Sequence, residues 1–134
     1  MREAYEDPLL ELVHDYIIRN LKKLNNKQSI SLPENLAFNY FKNLRTTRLN
    51  DHIFIEGNIK SKYPGVIRIY RLATSVTTVV VSIRLYNHKQ LSKIECDISK
   101  PHSLESIFDF IKEELIAYNK IHKFKPSKKN ERNL

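Results

Sequence analysis

Two short stretches of the sequence carry the same pair of side chains that could bind a ligand. The tetrapeptide IRIY returns as IRLY, so Arg68 and Tyr70 are matched by Arg84 and Tyr86. Guanidinium groups pair with phosphates and tyrosine rings stack on unpaired bases, so this combination on a sheet is typical of surfaces that hold single-stranded nucleic acid. The same residue types form the energetic centres of protein interfaces. They also suit any outward strand face, or a face covered by a helix with the arginines reaching its rim.

The apolar pattern decides which face of the predicted sheet carries the pair. The second stretch has an unbroken apolar row that includes Val81 and Ile83, and this row must face the core. Burying an unpaired arginine against it would cost several kcal/mol, but a longer loop costs only about a few tenths. We therefore expect a loop of three or five residues that sets Ile69 opposite Val81 and Arg68 opposite Ser82. The second face then holds Val66, Arg68, Tyr70, Leu72, Val80, Ser82, Arg84 and Tyr86.

This register makes Arg68 and Arg84 diagonal neighbours on that face. Unshielded like charges at this spacing cost on the order of half a kcal/mol, so we expect an anionic group between them. Glu56 or Asp97 could supply it from a flanking strand, and a ligand phosphate could supply it from outside.

The elements that would position these residues follow from periodicity. Asp7 is placed to cap a first helix with Pro8 at its first position, and Asn25–Asn26 should end that helix. SLPENLAFNYFKNL, residues 31–44, predicts a second, shorter helix. A period of two then predicts four strands, at about 52–60, 66–72, 77–86 and 91–98.

A long helix should follow Pro101 and pack across the sheet. Its apolar stripe consists of Leu104, Phe108, Ile111, Leu115 and Tyr118, widened by Ile107 and Phe110. The fold class expected is therefore α+β, with two N-terminal helices, a four-stranded antiparallel meander and a long C-terminal helix.

The net charge of +8 is concentrated near one end of the chain. Residues 119–134 carry six Lys or Arg side chains against one acid, which leaves only +3 for the other residues. We expect one compact domain over 1–125 and a mobile basic tail over 126–134. The lysines that could add to nucleic-acid binding are Lys120, Lys123, Lys125, Lys128 and Lys129. A terminal lysine run of this kind can equally serve solubility alone.

No residue pattern argues for an enzyme, a metal or a cofactor. The five histidines show no ligand spacing, and a glycine-rich phosphate loop is impossible with two glycines. Cys96 is the single cysteine and should be a buried, unreactive thiol. The absence of disulfides, of a secretory apolar run and of a membrane-spanning run leads us to expect an intracellular protein, cytoplasmic or nuclear.

The predicted order of a four-strand meander followed by a helix resembles that of the positive-cofactor and Whirly group of single-strand DNA binders. It is also similar in outline to helix–sheet–helix RNA-binding proteins of the signal-recognition particle and to kinetochore modules of the RWD type. These likenesses cover about half of the chain and rest on element order alone, which does not determine function.

The sequence thus predicts a small, non-enzymatic binding module. Its partner would be single-stranded or structured nucleic acid, held by the Arg/Tyr face and the basic tail. The alternative is a protein-interaction or dimerisation module of a larger intracellular assembly, such as one on chromosomes, with no role for the tail beyond solubility. Neither reading involves a membrane.

Overall fold

The computed structural model describes residues 7–31, 41–59, 63–88 and 91–121. Two helices and five strands occur in this part of the chain. In chain order they are α1 (Pro8–Ser31), β1 (Phe41–Leu49), β2 (His52–Ile59), β3 (Tyr63–Arg71), β4 (Thr78–Leu85), β5 (Ser92–Asp97) and α2 (Ser103–Ile121). The strands form one antiparallel meander in the order β1-β2-β3-β4-β5. The α+β class is confirmed, but the sheet has five strands rather than four.

The prediction of a second N-terminal helix is wrong for the part of it that the structure describes. Residues 41–44 of that predicted helix begin β1, and residues 32–40 lie outside the described part of the chain. Strand β1 pairs with β2 along its length, with a bulge between Lys42 and Arg45. Asn43 has a left-handed φ of 61° within this bulge, which asparagine tolerates better than most residues.

The two glycines of the chain explain why Phe41 belongs to the sheet. Gly57 of β2 lies directly opposite Gly65 of β3. A Cβ built on either glycine would come within 3.0 Å of the Phe41 ring. The missing side chains therefore leave the space that this fully buried ring fills. Packing of one aromatic ring thus favours the strand over the helix that the local pattern suggested.

Helix α1 starts as expected and ends later than expected. The Asp7 carboxylate accepts hydrogen bonds from the backbone N–H groups of Leu9 (2.9 Å) and Leu10 (3.5 Å), which makes it the N-cap. The helix does not stop at Asn25–Asn26 but continues to Ser31. The Asn25 side-chain amide donates to the carbonyl oxygen of Phe41 (3.3 Å). This asparagine therefore ties the helix to β1 instead of ending it.

The register of the two central strands is the one that the apolar pattern required. Ile69 lies opposite Val81, and Arg68 lies opposite Ser82. The connection is a five-residue loop, because the Leu72 N–H donates to the Thr78 carbonyl (2.9 Å).

Both helices pack on one face of the sheet, and the hydrophobic core lies between the helices and that face. From the sheet, Ile55, Ile69, Val81 and Ile83 are buried there, and Ile94 is half-buried. From α2, Ile107, Phe108, Ile111, Leu115 and Tyr118 are buried, with Leu104 and Phe110 partly so. Cys96 is half-buried rather than buried, and its burial raises the pKa of the thiol. The core face predicted from the sequence is confirmed, and α2 packs across β4 and β5.

Candidate functional site

The candidate site is the sheet face opposite the two helices, which we call the outer face. Side-chain alternation and the observed pairing assign to it Arg45, Thr47 and Leu49 of β1, His52, Phe54 and Glu56 of β2, Val66, Arg68 and Tyr70 of β3, Val80, Ser82 and Arg84 of β4, and Lys93, Glu95 and Asp97 of β5. Neither α1 nor α2 packs on this face. The middle of this face is nevertheless not fully exposed, because Val80 and Ser82 of β4, the strand between β3 and β5, are buried.

Arg68 sits in a cluster of rings on the outer face. Its guanidinium carbon lies 4.5 Å from the centroid of the Tyr70 ring, which is cation–π geometry. Its Nη2 lies 3.1 Å from Nε2 of His52. Because arginine can only donate, the acceptor in this contact is Nε2 of His52. The His52 ring in turn lies 5.0 Å from the Tyr70 ring and 6.0 Å from the Phe54 ring.

This ring cluster, formed by His52, Phe54, Arg68 and Tyr70, leaves one polar atom unsatisfied. Nε of Arg68 is buried and has no hydrogen-bond partner. The Arg68 guanidinium, in contact with the Tyr70 ring and the His52 imidazole, therefore retains one unused donor and has no carboxylate partner among the described residues. Because Nε is shielded from solvent, an acceptor can reach it only after the neighbouring side chains move.

Arg84 occupies a different environment at the other end of the outer face. It is exposed and lines an open groove of about 740 Å³. Arg45 also lines this groove, with its side chain 75% exposed and its Nη2 2.8 Å from Glu56 Oε1. The rest of the lining mixes polar residues with apolar residues and glycine, and includes Glu56, Asn43, Asn87, Val66 and Leu85. The groove is thus an open, partly cationic surface rather than an enclosed catalytic pocket.

Tyr86 does not project from a strand as its partner Tyr70 does. Strand β4 ends at Leu85, so Tyr86 lies in a turn and is 49% exposed at the rim of the groove. Its ring stacks against Tyr63, with centroids 5.5 Å apart and planes at 28°. Its carbonyl oxygen accepts a hydrogen bond from the Tyr118 hydroxyl of α2 (2.8 Å). The turn is therefore anchored to the core while one face of the tyrosine remains accessible.

Neither acid expected between the two arginines pairs with them, although Glu56 lines the same groove as Arg84. Glu56 pairs with Arg45, and Asp97 accepts hydrogen bonds from the backbone and hydroxyl of Ser99, which hold the pKa of Asp97 below its usual value. Within the described residues, neither Arg68 nor Arg84 forms an ion pair with a carboxylate. The expectation that Glu56 or Asp97 sits between them as an ion-pair partner is therefore wrong for this part of the chain.

The basic tail lies largely beyond what the structure describes. Lys120 belongs to the last turn of α2, and nothing is described of its side chain. Lys123, Lys125, Lys128 and Lys129 fall in residues 122–134, outside the described residues. Their role stays a prediction.

Sequence reasoning missed three members of the site, His52, Phe54 and Arg45. Arg45 was missed because the sequence predicts a helix over residues 31–44 and no strand that would contain Arg45. The other two alternate with Ile53 and Ile55, so they were recognisable as outward residues of the first predicted strand. What the sequence lacked was the pairing that sets Phe54 opposite Arg68 and His52 opposite Tyr70.

One cluster of potential metal ligands occurs among the described residues, formed by Glu11, His14 and Asp15. Its donors already have partners. Arg48 binds both oxygens of Glu11 (2.6 and 2.7 Å), which lowers the pKa of that carboxyl group. His14 contacts Asp15 through Nδ1 and Thr46 through Nε2. This arrangement fastens α1 to β1 and leaves no free ligand set for a cation.

Comparison with known proteins adds no functional assignment. No family model, no curated protein and no solved structure shows a significant match to this chain. Neither described helix has the length and apolar content needed to cross a bilayer. The function must therefore be argued from the outer face itself.

Proposed function

We propose that the outer face holds single-stranded nucleic acid, with phosphates beside Arg68 and Arg84 and bases against the rings of His52, Phe54 and Tyr70. The observation that carries this proposal is the pair Arg68 and Arg84, two guanidinium groups on one face with no carboxylate partner among the described residues. Phosphate is the bidentate acceptor that guanidinium groups fit best.

The dimensions of the face support this proposal. Val66, at the groove, and Tyr70, in the ring cluster, are four residues apart on β3, which is about 13 Å at the rise of a strand. A flexible single strand of nucleic acid can span that distance with its phosphate backbone beside the arginines and its bases against the rings. A rigid duplex presents no unstacked base to the rings, so single strands should bind more tightly.

A titration of the full chain against short single-stranded DNA and RNA, followed by fluorescence anisotropy, tests the proposal. The double variant Arg68→Ala/Arg84→Ala should weaken binding at least about tenfold, which corresponds to roughly 1.4 kcal/mol. It should also reduce the slope of log K against log salt by about 1.4, since each phosphate contact on a single strand contributes about 0.7.

The matched control is Arg19→Ala/Lys22→Ala. It removes the same two charges from exposed positions on α1, on the opposite side of the sheet. If the control weakens binding as much as the outer-face variant, the attraction is a general charge effect and the proposed site is wrong. Tyr70→Ala should weaken binding to single strands more than binding to duplexes, because only single strands offer bases for stacking.

A chain ending at residue 125 tests the tail separately. We expect it to bind nucleic acid more weakly than the full chain and to melt at nearly the same temperature. A large fall in melting temperature would mean that the tail contributes to folding rather than to binding.

A protein partner on the same face remains the second candidate function, and one observation favours it. Phe54 and Tyr70 are half-buried and Leu49 is 56% exposed, so the face offers apolar area as well as charge. An apolar interface responds little to ionic strength. A wild-type chain without affinity for single strands at low salt would exclude the nucleic-acid proposal and favour this one.

A further inference from the structure

The edge of β5, which pairs with no other described strand besides β4, is a second candidate binding surface, separate from the outer face. Strand β5 is the last strand of the described sheet. The N–H of Ile98 donates to the Thr77 carbonyl (2.9 Å), so even-numbered residues of this strand direct their backbone groups toward β4. The odd-numbered residues Lys93 and Glu95 therefore direct theirs away from the sheet, whereas the outward carbonyl of Asp97 already accepts a hydrogen bond from the N–H of Lys100. An edge of this kind is a template for another strand.

The opposite edge of the sheet has features that discourage such pairing. Strand β1 is interrupted by the bulge next to Asn43. Its charged side chains, Lys42, Arg45 and Arg48, are all positive, so a second copy would meet like charges. Bulges and charges of one sign are common means of protecting an edge. Strand β5 pairs with β4 without a bulge, and its charges alternate in sign.

We propose that two copies of this chain associate through β5, antiparallel, about a two-fold axis at Ile94. Lys93 then lies opposite the partner's Glu95, and Glu95 opposite the partner's Lys93. Both pairs join residues whose backbone groups point outward, as the hydrogen-bonding pattern of the edge requires. Opposite charges directly across a strand pair stabilise it.

The charge pattern selects this register over its neighbours. Moving the axis to Glu95 sets that carboxylate against the partner's Glu95, and moving it to Lys93 sets two ammonium groups against each other. A shift of the pairing by one residue would break the match of outward backbone groups and exchange the two faces. Only the axis at Ile94 gives two attractive pairs and no repulsive one across the charged positions of β5.

The core face of the same pairing is also compatible. Ile94 meets the partner's Ile94, and Ser92 meets the partner's Cys96. Ile94 and Cys96 are only half-buried in one chain, so they have apolar surface left to cover. The product is a continuous ten-stranded sheet in which the two outer faces adjoin. A six-residue edge buries little area, so the dimer should be weak and its population concentration-dependent.

Charge reversal tests this register without nucleic acid present. By sedimentation equilibrium, Glu95→Lys and Lys93→Glu should each weaken dimerisation at least tenfold, and Lys93→Glu/Glu95→Lys should restore it. Both side chains are exposed, so each variant should melt near the wild-type temperature. The matched control, Lys22→Glu on α1, should leave dimerisation unchanged. A wild-type chain that stays monomeric at high concentration, or a double reversal that fails to restore association, overturns the proposal.

A cysteine at position 92 gives an independent test. Ser92→Cys would lie opposite the partner's native Cys96 in a non-hydrogen-bonded pair, about 4.5 Å apart at Cα, within the range of disulfides. With oxidised glutathione as electron acceptor, this variant should become a covalent dimer. Ser92→Cys/Cys96→Ser carries the same new thiol with no thiol opposite it and should stay monomeric after denaturation. Absence of cross-linking in the first variant, or equal cross-linking in both, contradicts the register.

Discussion

Removing the carboxylate of Asp7 should destabilise the fold through two separate contacts. Its side chain is only 4% exposed, and it caps α1 through the backbone N–H groups of Leu9 and Leu10. It also binds Arg71 at the end of β3 through both oxygens, at 2.6 and 2.9 Å. The same carboxylate therefore starts the helix and holds it against the sheet. Arg71 in addition donates to the carbonyl of Val76 in the loop that follows.

The expected cost of Asp7→Ala is about 2–3 kcal/mol of unfolding free energy. Loss of an N-cap costs about 1 kcal/mol. Hydrogen bonds between charged groups contribute about 1.5–3 kcal/mol, and the lower end applies because Arg71 is 36% exposed and regains water. The corresponding fall in melting temperature is roughly 10 °C for a chain of this size. Asp7→Asn keeps an acceptor for the cap and should lose only about 1–2 kcal/mol.

Acid titration separates the charge from the cap. The Arg71 guanidinium holds the pKa of Asp7 below its usual value. A carboxyl group whose pKa is lowered by folding adds stability that is present above the unfolded pKa, about 3.9, and is lost as pH falls through the folded value. Urea unfolding at a series of pH values should therefore show wild type and Asp7→Asn converging below about pH 4. Exposed Asp109→Asn is the control and should track wild type throughout.

A cost below about 0.5 kcal/mol for Asp7→Ala would refute this reasoning, since neither the cap nor the ion pair would then contribute as the geometry implies. Parallel acid curves for wild type and Asp7→Asn would refute the role of the charge alone. Some acid sensitivity should persist in both, because the pKa of Glu11 is also lowered, by Arg48.

Two further predictions concern the core. Gly65→Ala should destabilise the fold by more than about 1 kcal/mol, because the new methyl group would lie 2.8 Å from Leu85 and 3.0 Å from the Phe41 ring. Phe41→Ala should cost about 3–5 kcal/mol by leaving the same space empty. A stability loss in the double variant, measured by urea unfolding, that is smaller than the sum of the two single losses would demonstrate that the two sites are coupled. Tyr118→Phe should cost about 1 kcal/mol by removing the hydrogen bond to the Tyr86 carbonyl, and an unchanged melting temperature would show that water replaces that bond.

The part of the fold that could be predicted from the sequence is the part whose face is decided by burial. Alternation of Ile53 with Ile55, and of Val81 with Ile83, fixes both the strands and the side that meets the helices. The cost of burying Arg68 then fixes the pairing with β4. Each of these steps depends only on neighbours in the sequence and on one large energy difference.

The missed strand β1 depended on contacts that the sequence does not display. Its solvent-facing residues are polar apart from Leu49, and its one fully buried side chain, Phe41, fits a helix stripe as well as a strand. The deciding feature is the space between Gly57 and Gly65, which exists only once β2 and β3 are paired. The extra length of α1 has a similar origin, because the Asn25 side chain donates to the Phe41 carbonyl of β1 instead of ending the helix.

The Arg–Tyr repeat acquires its meaning from antiparallel pairing. Because the two strands run in opposite directions, Tyr70 lies level with Val80 and the backbone of Tyr86 lies level with Pro64. The order along the face is therefore Tyr70, Arg68, Arg84, Tyr86, over about 20 Å at the rise of a strand. If the two stretches ran parallel, Arg68 would lie beside Arg84 and Tyr70 beside Tyr86. The antiparallel arrangement places the two arginines in the middle, with the Tyr70 ring at one end and the turn that carries Tyr86 at the other. An apolar partner would favour the reverse, with rings at the centre and charges at the rim. A phosphate backbone on the two arginines, with a base against the Tyr70 ring, is the arrangement that the nucleic-acid proposal predicts for this order.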